Sequence, residues 1–308
     1  MHPFPNKPIA AGGLLLLAVC LLASPAPAQT ASEGLSPTLA SIKRTHVVRL
    51  GYRESSPPFS FLDHSNRPIG YSLELCEAIV EEIGVEVDDA NLKVEYVKVT
   101  SDDRIPAVTD SKIDLECGST TANAERAKLV AFSPLIFVAG TKLMVPKAST
   151  ISTPTDLKGK TVVVTKGTTN EQAMYAIDKK FSLGLNIVTS PDHEQSYQTL
   201  VDGKADAFAT DDILLYGLIA RHKAQGQFKV TGEHLSYDPY GIMFRKGEPQ
   251  LKAVVERTFQ KLGSGRDLIP LYNKWFVARL PTGEKLGVAI SPQLEEAFKV
   301  LDDKHGSN

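Results

Sequence analysis

Only three cysteines occur among the 308 residues, and neither sign of charge is in excess, with 34 basic against 36 acidic side chains. Three cysteines are too few for a scaffold held chiefly by disulfides. A formal net charge of −2 and a pI of about 6.4 exclude the strong basic field that nucleic acid or an anionic membrane surface requires. Downstream of the N-terminal region no stretch is apolar enough to span a membrane. The histidines lack metal-ligand spacing, and neither a Gly-x-Ser-x-Gly elbow nor a P-loop occurs. No catalytic residue, metal or cofactor is therefore expected. Repeats, coiled-coil heptads and low-complexity segments are missing as well.

What the N-terminus does carry is an address. Lys7 precedes an apolar run from Ile9 through Leu22, and Ser24-Pro25-Ala26-Pro27-Ala28 supplies an Ala-x-Ala cleavage signal. The run is short for a bilayer crossing. Residues 1–28 are expected to be a secretory signal peptide cut after Ala28, leaving a soluble, exported chain. Leu17-Ala18-Val19-Cys20 hints at a lipoprotein signal, but valine before the cysteine fits that processing poorly. Cleavage leaves Cys76 and Cys117. An oxidising compartment permits a bridge, yet Cys76 lies on an expected helix, Cys117 ends an apolar strand, and buried free thiols are common. The expectation is two unpaired thiols.

Apolar periodicity alternates between strands and helices. His46 to Tyr52 reads as a strand. Leu73, Cys76, Val80 and Ile83 recur at helical spacing, and Gly84 can end that helix. Leu92, Val94 and Tyr96 alternate as in a half-exposed strand, with a slip at Val97 that marks either a bulge or the strand end. Ile113 to Cys117 reads as a short buried strand, and Phe137 to Val145 as a mostly apolar run. The pattern restarts near Asp156. Strands follow at Thr161 to Thr165, near Ile187, and at Ala205 to Ala209, with helices from Thr169, around Tyr197, and from Ile213 to Ala220. Two amphipathic helices, carrying Leu251, Val254 and Leu262 and then Leu268, Tyr272 and Trp275, close the chain. Residues 29–40 read as a flexible lead-in and 302–308 as a fraying tail. The βαβ order implies α/β lobes with mostly parallel sheets and ligands at the strand C-terminal ends. Length and restart together imply two of them.

The most informative stretch is Ser119-Thr120-Thr121-Ala122-Asn123-Ala124-Glu125-Arg126. It places hydroxyls and a guanidinium at an expected strand-to-helix junction. Thr121 is a good N-cap, and a helix N-terminus offers free N–H groups and partial positive charge to an anion. A guanidinium such as that of Arg126 grips a carboxylate with two parallel hydrogen bonds. The alternative is an ordinary capped helix with a surface arginine.

Polar residues also meet strand ends at Leu50 to Phe59, Thr100 to Pro106, Lys166 to Glu171, Asp192-His193 and Thr210-Asp211-Asp212, and several further motifs mark the chain. They are Gly51-Tyr52-Arg53 with Pro57-Pro58-Phe59, Gly70-Tyr71-Ser72-Leu73-Glu74, Glu125-Arg126 with Phe132-Ser133, Leu157-Lys158-Gly159-Lys160, Gly167-Thr168-Thr169, Gly203-Lys204-Ala205-Asp206-Ala207 and Tyr240-Gly241-Ile242. On these residues the chain resembles the periplasmic amino-acid-binding proteins of ABC importers, over nearly all of 42–300. Its arginines bring it closest to the members that bind glutamate and aspartate. The resemblance implies a type II periplasmic binding fold, α/β, with two lobes that close on the ligand. Residues 42–141 and 243–308 would form one lobe and 146–238 the other. Two crossing strands, near Lys142 to Val145 and Pro239 to Met243, would form the hinge. It also implies a periplasmic location, a membrane permease as partner, a monomer, no nucleic acid and no catalysis.

Site roles follow from the same resemblance. Arg126 would clamp the ligand's α-carboxylate. Ser119 and Thr121, or a carbonyl near them, would meet its α-ammonium, with Asp211 as counter-ion from the other lobe. Thr168 and Thr169, at a helix N-terminus, would add donors to a carboxylate; read without the family, either they or Asp211 could simply cap helices. Arg53, Arg104 and His193 are the sharper signal. Beside Arg126 they set four basic or donor groups against one acid, Asp211, more than a neutral ligand can compensate. A second ligand carboxylate, as in L-glutamate or L-aspartate, resolves the mismatch. The competing readings are an exported dehydratase-like enzyme on the same scaffold, with Glu54, Glu116 and Glu171 as loose acid or base candidates, a ligand-gated receptor, or a binder of another polar amino acid such as glutamine.

Overall fold

The computed structural model describes residues 34–303. The expected signal peptide, its cleavage after Ala28, Cys20 and the last five residues lie outside the described residues. Helix α1 (Pro37–Thr45) leads into strand β1 (Val47–Tyr52). A small antiparallel sheet of β2 (Ser55–Ser56), β3 (Ser60–Leu62) and β4 (Pro68–Ile69) follows, then α2 (Tyr71–Val87), β5 (Lys93–Lys98), α3 (Arg104–Thr109), β6 (Leu115–Glu116) and β7 (Val130–Phe132). Next come β8 (Phe137–Ala139), β9 (Thr141–Pro146), β10 (Thr161–Thr165), α4 (Thr169–Phe181), β11 (Asn186–Ser190), α5 (His193–Val201), β12 (Ala207–Asp211), α6 (Asp212–Arg221) and β13 (Phe228–Thr231). The chain returns through β14 (Asp238–Tyr240) to β15 (Met243–Arg245), α7 (Pro249–Ser264), α8 (Leu268–Tyr272) and α9 (Pro292–Asp303).

Two five-stranded sheets result, ordered β5-β1-β6-β15-β7 and β11-β10-β12-β9-β13. In each, three strands pair in parallel and one strand, β15 or β9, runs against the rest. The sequence shows no repeat, yet the topology repeats. Strand β10, Thr-Val-Val-Val-Thr, is covered on both faces: Val162 and Val164 pack with Leu143, Ala207 and Ala209, while Val163 packs with Met144 and Phe208. That double cover explains an unbroken apolar run in place of alternation.

Between the sheets, β8 and β14 pair antiparallel as a two-stranded ribbon. Phe137 of β8 and Tyr240 of β14 both join a buried aromatic cluster with Phe59, Tyr71 and Phe276, ring centroids 4.8–6.2 Å apart. Edge-to-face, tilted and stacked rings at these spacings fix the ribbon to the first sheet's core. The first crossing therefore lies at β8, earlier than the expected Lys142 to Val145, which sits inside the second sheet.

Three further expectations are corrected, and one alternative left open is decided. Helix α2 runs past Gly84 and leaves the helical conformation at Asp88, whose φ is 56°. Residues 37–40 of the expected lead-in are helical, as the first part of α1, which buries Leu39 and Ile42. The slip at Val97 is no bulge, since β1 and β5 pair residue by residue from Val47↔Lys93 to Tyr52↔Lys98. Cys76 and Cys117 form a disulfide with 6.2 Å between Cα atoms, because β6 ends against the face of α2, a proximity that spacing alone cannot reveal.

Candidate functional site

The expected site residues sit at strand ends, as the βαβ rule requires. Arg53 follows β1, Arg104 opens α3 after β5, and Ser119 and Thr121 follow β6. Across from them, Thr168 and Thr169 follow β10, His193 follows β11, and Asp211 ends β12. Contacts join the two sides. Arg126 Nη2 donates to the Gly167 carbonyl at 3.3 Å, Thr121 Oγ1 lies 3.2 Å from Thr169 Oγ1, and Lys166 pairs with Asp102 at 2.8 Å.

Three guanidiniums are buried together. Arg104 Nη1 donates to the Ser119 carbonyl at 3.2 Å and to Thr120 Oγ1 at 2.6 Å, leaving Nε without a partner. Arg53 is 1% exposed, and neither Nη1 nor Nη2 has a partner. Arg126 Nη1 is held by the Thr121 carbonyl at 2.9 Å. Burial, and then the neighbouring Arg104, push the Arg53 pKa down to about 10 and that of Arg126 to about 9. Burial, helped by Arg53 and Arg104, also holds the His193 pKa well below its ordinary value, so this imidazole is neutral. Its Nδ1 lies 2.7 Å from Thr165 Oγ1.

Two acids outside the expected ligand-binding set complete the site, Glu116 having entered only as a loose candidate for catalysis. Glu116 is fully buried; its Oε2 accepts from Thr120 Oγ1 at 2.6 Å and its Oε1 has no partner. Asp238, on β14, accepts at Oδ1 from Thr121 Oγ1 at 3.1 Å and from Thr169 Oγ1 at 2.8 Å, and at Oδ2 from Ser236. Asp211 accepts from Asn170 Nδ2 at 2.8 Å and from the Tyr240 hydroxyl. The expected balance of four basic or donor groups against one acid is thus wrong. Three guanidiniums face three buried acids, and His193 carries no charge. What remains distinctive is the pairing: hydroxyl and amide donors hold at least one oxygen of each acid, while Arg53 Nη1 and Nη2 and Arg104 Nε stay free. A charged residue on the buried strand β6 was the readable sign of Glu116; Asp238 gave none beyond its place just before Tyr240-Gly241-Ile242.

The segment after β6 is not a helix N-terminus. Thr121 bridges Tyr240, and the Ala122 N–H donates to the Pro239 carbonyl at 2.7 Å, so one of the backbone donors expected to bind an anion is spent on the ribbon. Only a three-residue 3-10 turn, Arg126–Lys128, follows, with Asn123 Oδ1 accepting from the Arg126 N–H. The real cap in the other half is Thr168, whose hydroxyl accepts from the Glu171 N–H at 3.1 Å and donates to the Thr165 carbonyl at 2.7 Å. Its proton is committed, so it has no donor left for a carboxylate. Asp211 stands at the N-cap position of α6, but its side chain makes no cap bond. The other acids weighed earlier are also engaged, Glu54 with Lys98 and Glu171 with the Gly167 N–H. Two surface cavities, of about 620 and 610 Å³, contain none of the three buried guanidiniums.

Residues 48–278 match the family model of bacterial extracellular solute-binding proteins, family 3. The chain is 39% identical over 291 residues to the L-glutamate/L-aspartate-binding protein of Pseudomonas aeruginosa, covering 94% of this chain and 96% of that one. It is 36% identical over 290 residues to the glutamate/aspartate import solute-binding protein of Escherichia coli, with the same coverage. Among solved structures, a cysteine-binding protein from Campylobacter jejuni matches with a TM-score of 0.69 at 27% identity, over 78% of this chain and 93% of that one. An ancestral arginine-binding protein bound to arginine matches at 0.68 and 31% identity, over 75% and 98%. These relatives carry the names of binding and import proteins, not of enzymes. With its paired mixed sheets, crossing ribbon and buried cluster of charge between, the chain belongs to the bacterial extracellular solute-binding proteins, family 3, and has their two-lobed type II periplasmic binding fold.

Proposed function

We propose that this protein captures L-glutamate or L-aspartate in the periplasm and delivers it to the membrane permease of an ABC importer. The lobes are residues 42–141 with 243–308, and 146–238. One observation carries the ligand assignment: Arg53 Nη1, Arg53 Nη2 and Arg104 Nε are buried guanidinium donors without partners. Leaving such groups unpaired costs about 1–3 kcal/mol or more each, and a carboxylate satisfies a fork of this kind in one step. Arg126, the rim guanidinium, serves the α-carboxylate that every amino acid has. Arg53 and Arg104 serve the side-chain carboxylate. Neutral His193, whose Nδ1 lies 2.7 Å from Thr165 Oγ1, stands beside these two arginines. Ser119 and Asp211 serve the ammonium.

The protein acts as a monomer, without metal, cofactor or nucleic acid, after signal removal behind Ala28. The relatives named for glutamate and aspartate support this reading. Calorimetric titration of the mature protein with the twenty amino acids tests it. Binding of glutamate or aspartate at a dissociation constant of about 1 μM or tighter, roughly −8 kcal/mol, is expected. Tighter binding of glutamine, arginine or histidine than of either acid refutes it.

A further inference from the structure

We propose that Asp238 is a specificity-determining positioning residue: it takes the protons of the Thr121 and Thr169 hydroxyls, leaves only their lone pairs for a ligand, and so reserves this side of the cleft for an ammonium group. A carboxylate can only accept, and each hydroxyl has one proton. With both donated to Asp238 Oδ1, the 3.2 Å approach of Thr121 Oγ1 to Thr169 Oγ1 sets two acceptors side by side. Thr121 comes from the loop after β6 and Thr169 from the first turn of α4, so the two acceptors come from opposite lobes. Asp211 adjoins them, because Asn170, next to Thr169, donates to its Oδ1 and Tyr240, two residues beyond Asp238, donates to its Oδ2. An ammonium with three donors meets matching acceptors here, whereas a carboxylate meets lone pairs and two acids. Thr169 therefore plays the reverse of the donor role expected from sequence.

This inference rests on the amino-acid reading above, and the test separates the two. The mature wild-type protein, D238N and T169A are titrated with L-glutamate and with glutarate, the same dicarboxylate without the amine. Wild type is expected to prefer glutamate. D238N should lose glutamate affinity by about tenfold or more while glutarate binding stays level or improves, so the preference falls at least as far. T169A removes one of the two oxygens but leaves the α4 cap on Thr168, and should move the ratio the same way. It decides alone if D238N does not fold.

A second readout guards against a merely structural role. Asp238 faces Asp211 together with Asp212, Tyr240, Asn170, Arg104 and Arg126, and of these charges Asp238 acts most strongly to raise the Asp211 pKa. The pH midpoint of glutamate binding should accordingly fall in D238N. Equal losses for both ligands, or a ratio within about twofold of wild type in D238N or T169A, would overturn the assignment. A wild-type protein that binds neither glutamate nor aspartate would instead refute the amino-acid reading.

Discussion

Acidification should release the ligand through Asp211. Its carboxyl is buried, and burial first and Asp238 next raise its pKa to about 7, against the hydrogen bonds from Tyr240 and Asn170. An ammonium group needs the ionised form. If only that form binds, the apparent dissociation constant grows as the inverse of the ionised fraction. Affinity is then weaker than its alkaline limit by about twofold at pH 7, about tenfold at pH 6 and about a hundredfold at pH 5. The last corresponds to about 2.7 kcal/mol. At pH 7 about half a proton should leave per ligand bound, so the observed binding enthalpy should vary with the ionisation enthalpy of the buffer. The unliganded fold should respond in the opposite sense. Between the ordinary aspartate value and about 7 the folded chain holds a proton that the unfolded chain has released, so this group makes the fold more stable as the pH falls through that window. Isothermal titration from pH 8 to pH 5, with melting curves of the unliganded protein alongside, measures both trends. Affinity that is flat across the range, or that rises on acidification, refutes the reasoning. D211N should bind weakly and without this pH dependence.

Other perturbations follow from the same geometry. R53A and R104A should each weaken glutamate by about ten- to a hundredfold and glutamine far less, whereas R126A should abolish both; titrations whose glutamate-to-glutamine ratio stays at the wild-type value would disprove the division of labour. Gly167 holds a φ of 76°, and a methyl there would come 2.6 Å from the Asp102 Cα on the facing loop. G167A should therefore lose ligand affinity and ligand-induced compaction in small-angle scattering, while G159A, at a φ of 70° with nothing nearby, should cost only stability. Replacing Cys76 and Cys117 with serine opens a link between residues 41 positions apart, and loop entropy puts the loss near 4 kcal/mol, readable as a lower urea midpoint. Saturation with glutamate at about a hundred times its dissociation constant should add about 2.7 kcal/mol of stability, seen as a rise in Tm.

Local pattern told much of the fold. The runs at β10 and β12 and the helical spacing in α2 and α7 are set by which faces are buried, and periodicity reports burial directly. The site was legible in part for a similar reason: in α/β lobes polar residues at strand C-terminal ends converge, so Arg53, Arg104, Arg126, His193 and Asp211 could be picked out one strand end at a time. The helix expected at Thr121 failed because a good cap residue is a local signal, and a strand 119 positions away claimed that backbone first through the bridge to Tyr240.

By itself, then, the sequence determined where strands and helices recur and, through the resemblance its motifs carry, which side chains to propose for an acidic ligand. Tertiary structure alone decided how those side chains are spent. Thr121 and Asp238 are 117 positions apart, and Thr169 and Asp238 are 69 apart. Whether a threonine hydroxyl gives or takes a proton depends on the acid beside it, not on its neighbours in the chain. Glu116 and Cys117 likewise acquired their roles only when β6 was laid beside β1 and against α2. Burial made those pairings consequential: it raises the cost of every unpaired charge, so the partner each group finds in space determines what is left over for a ligand.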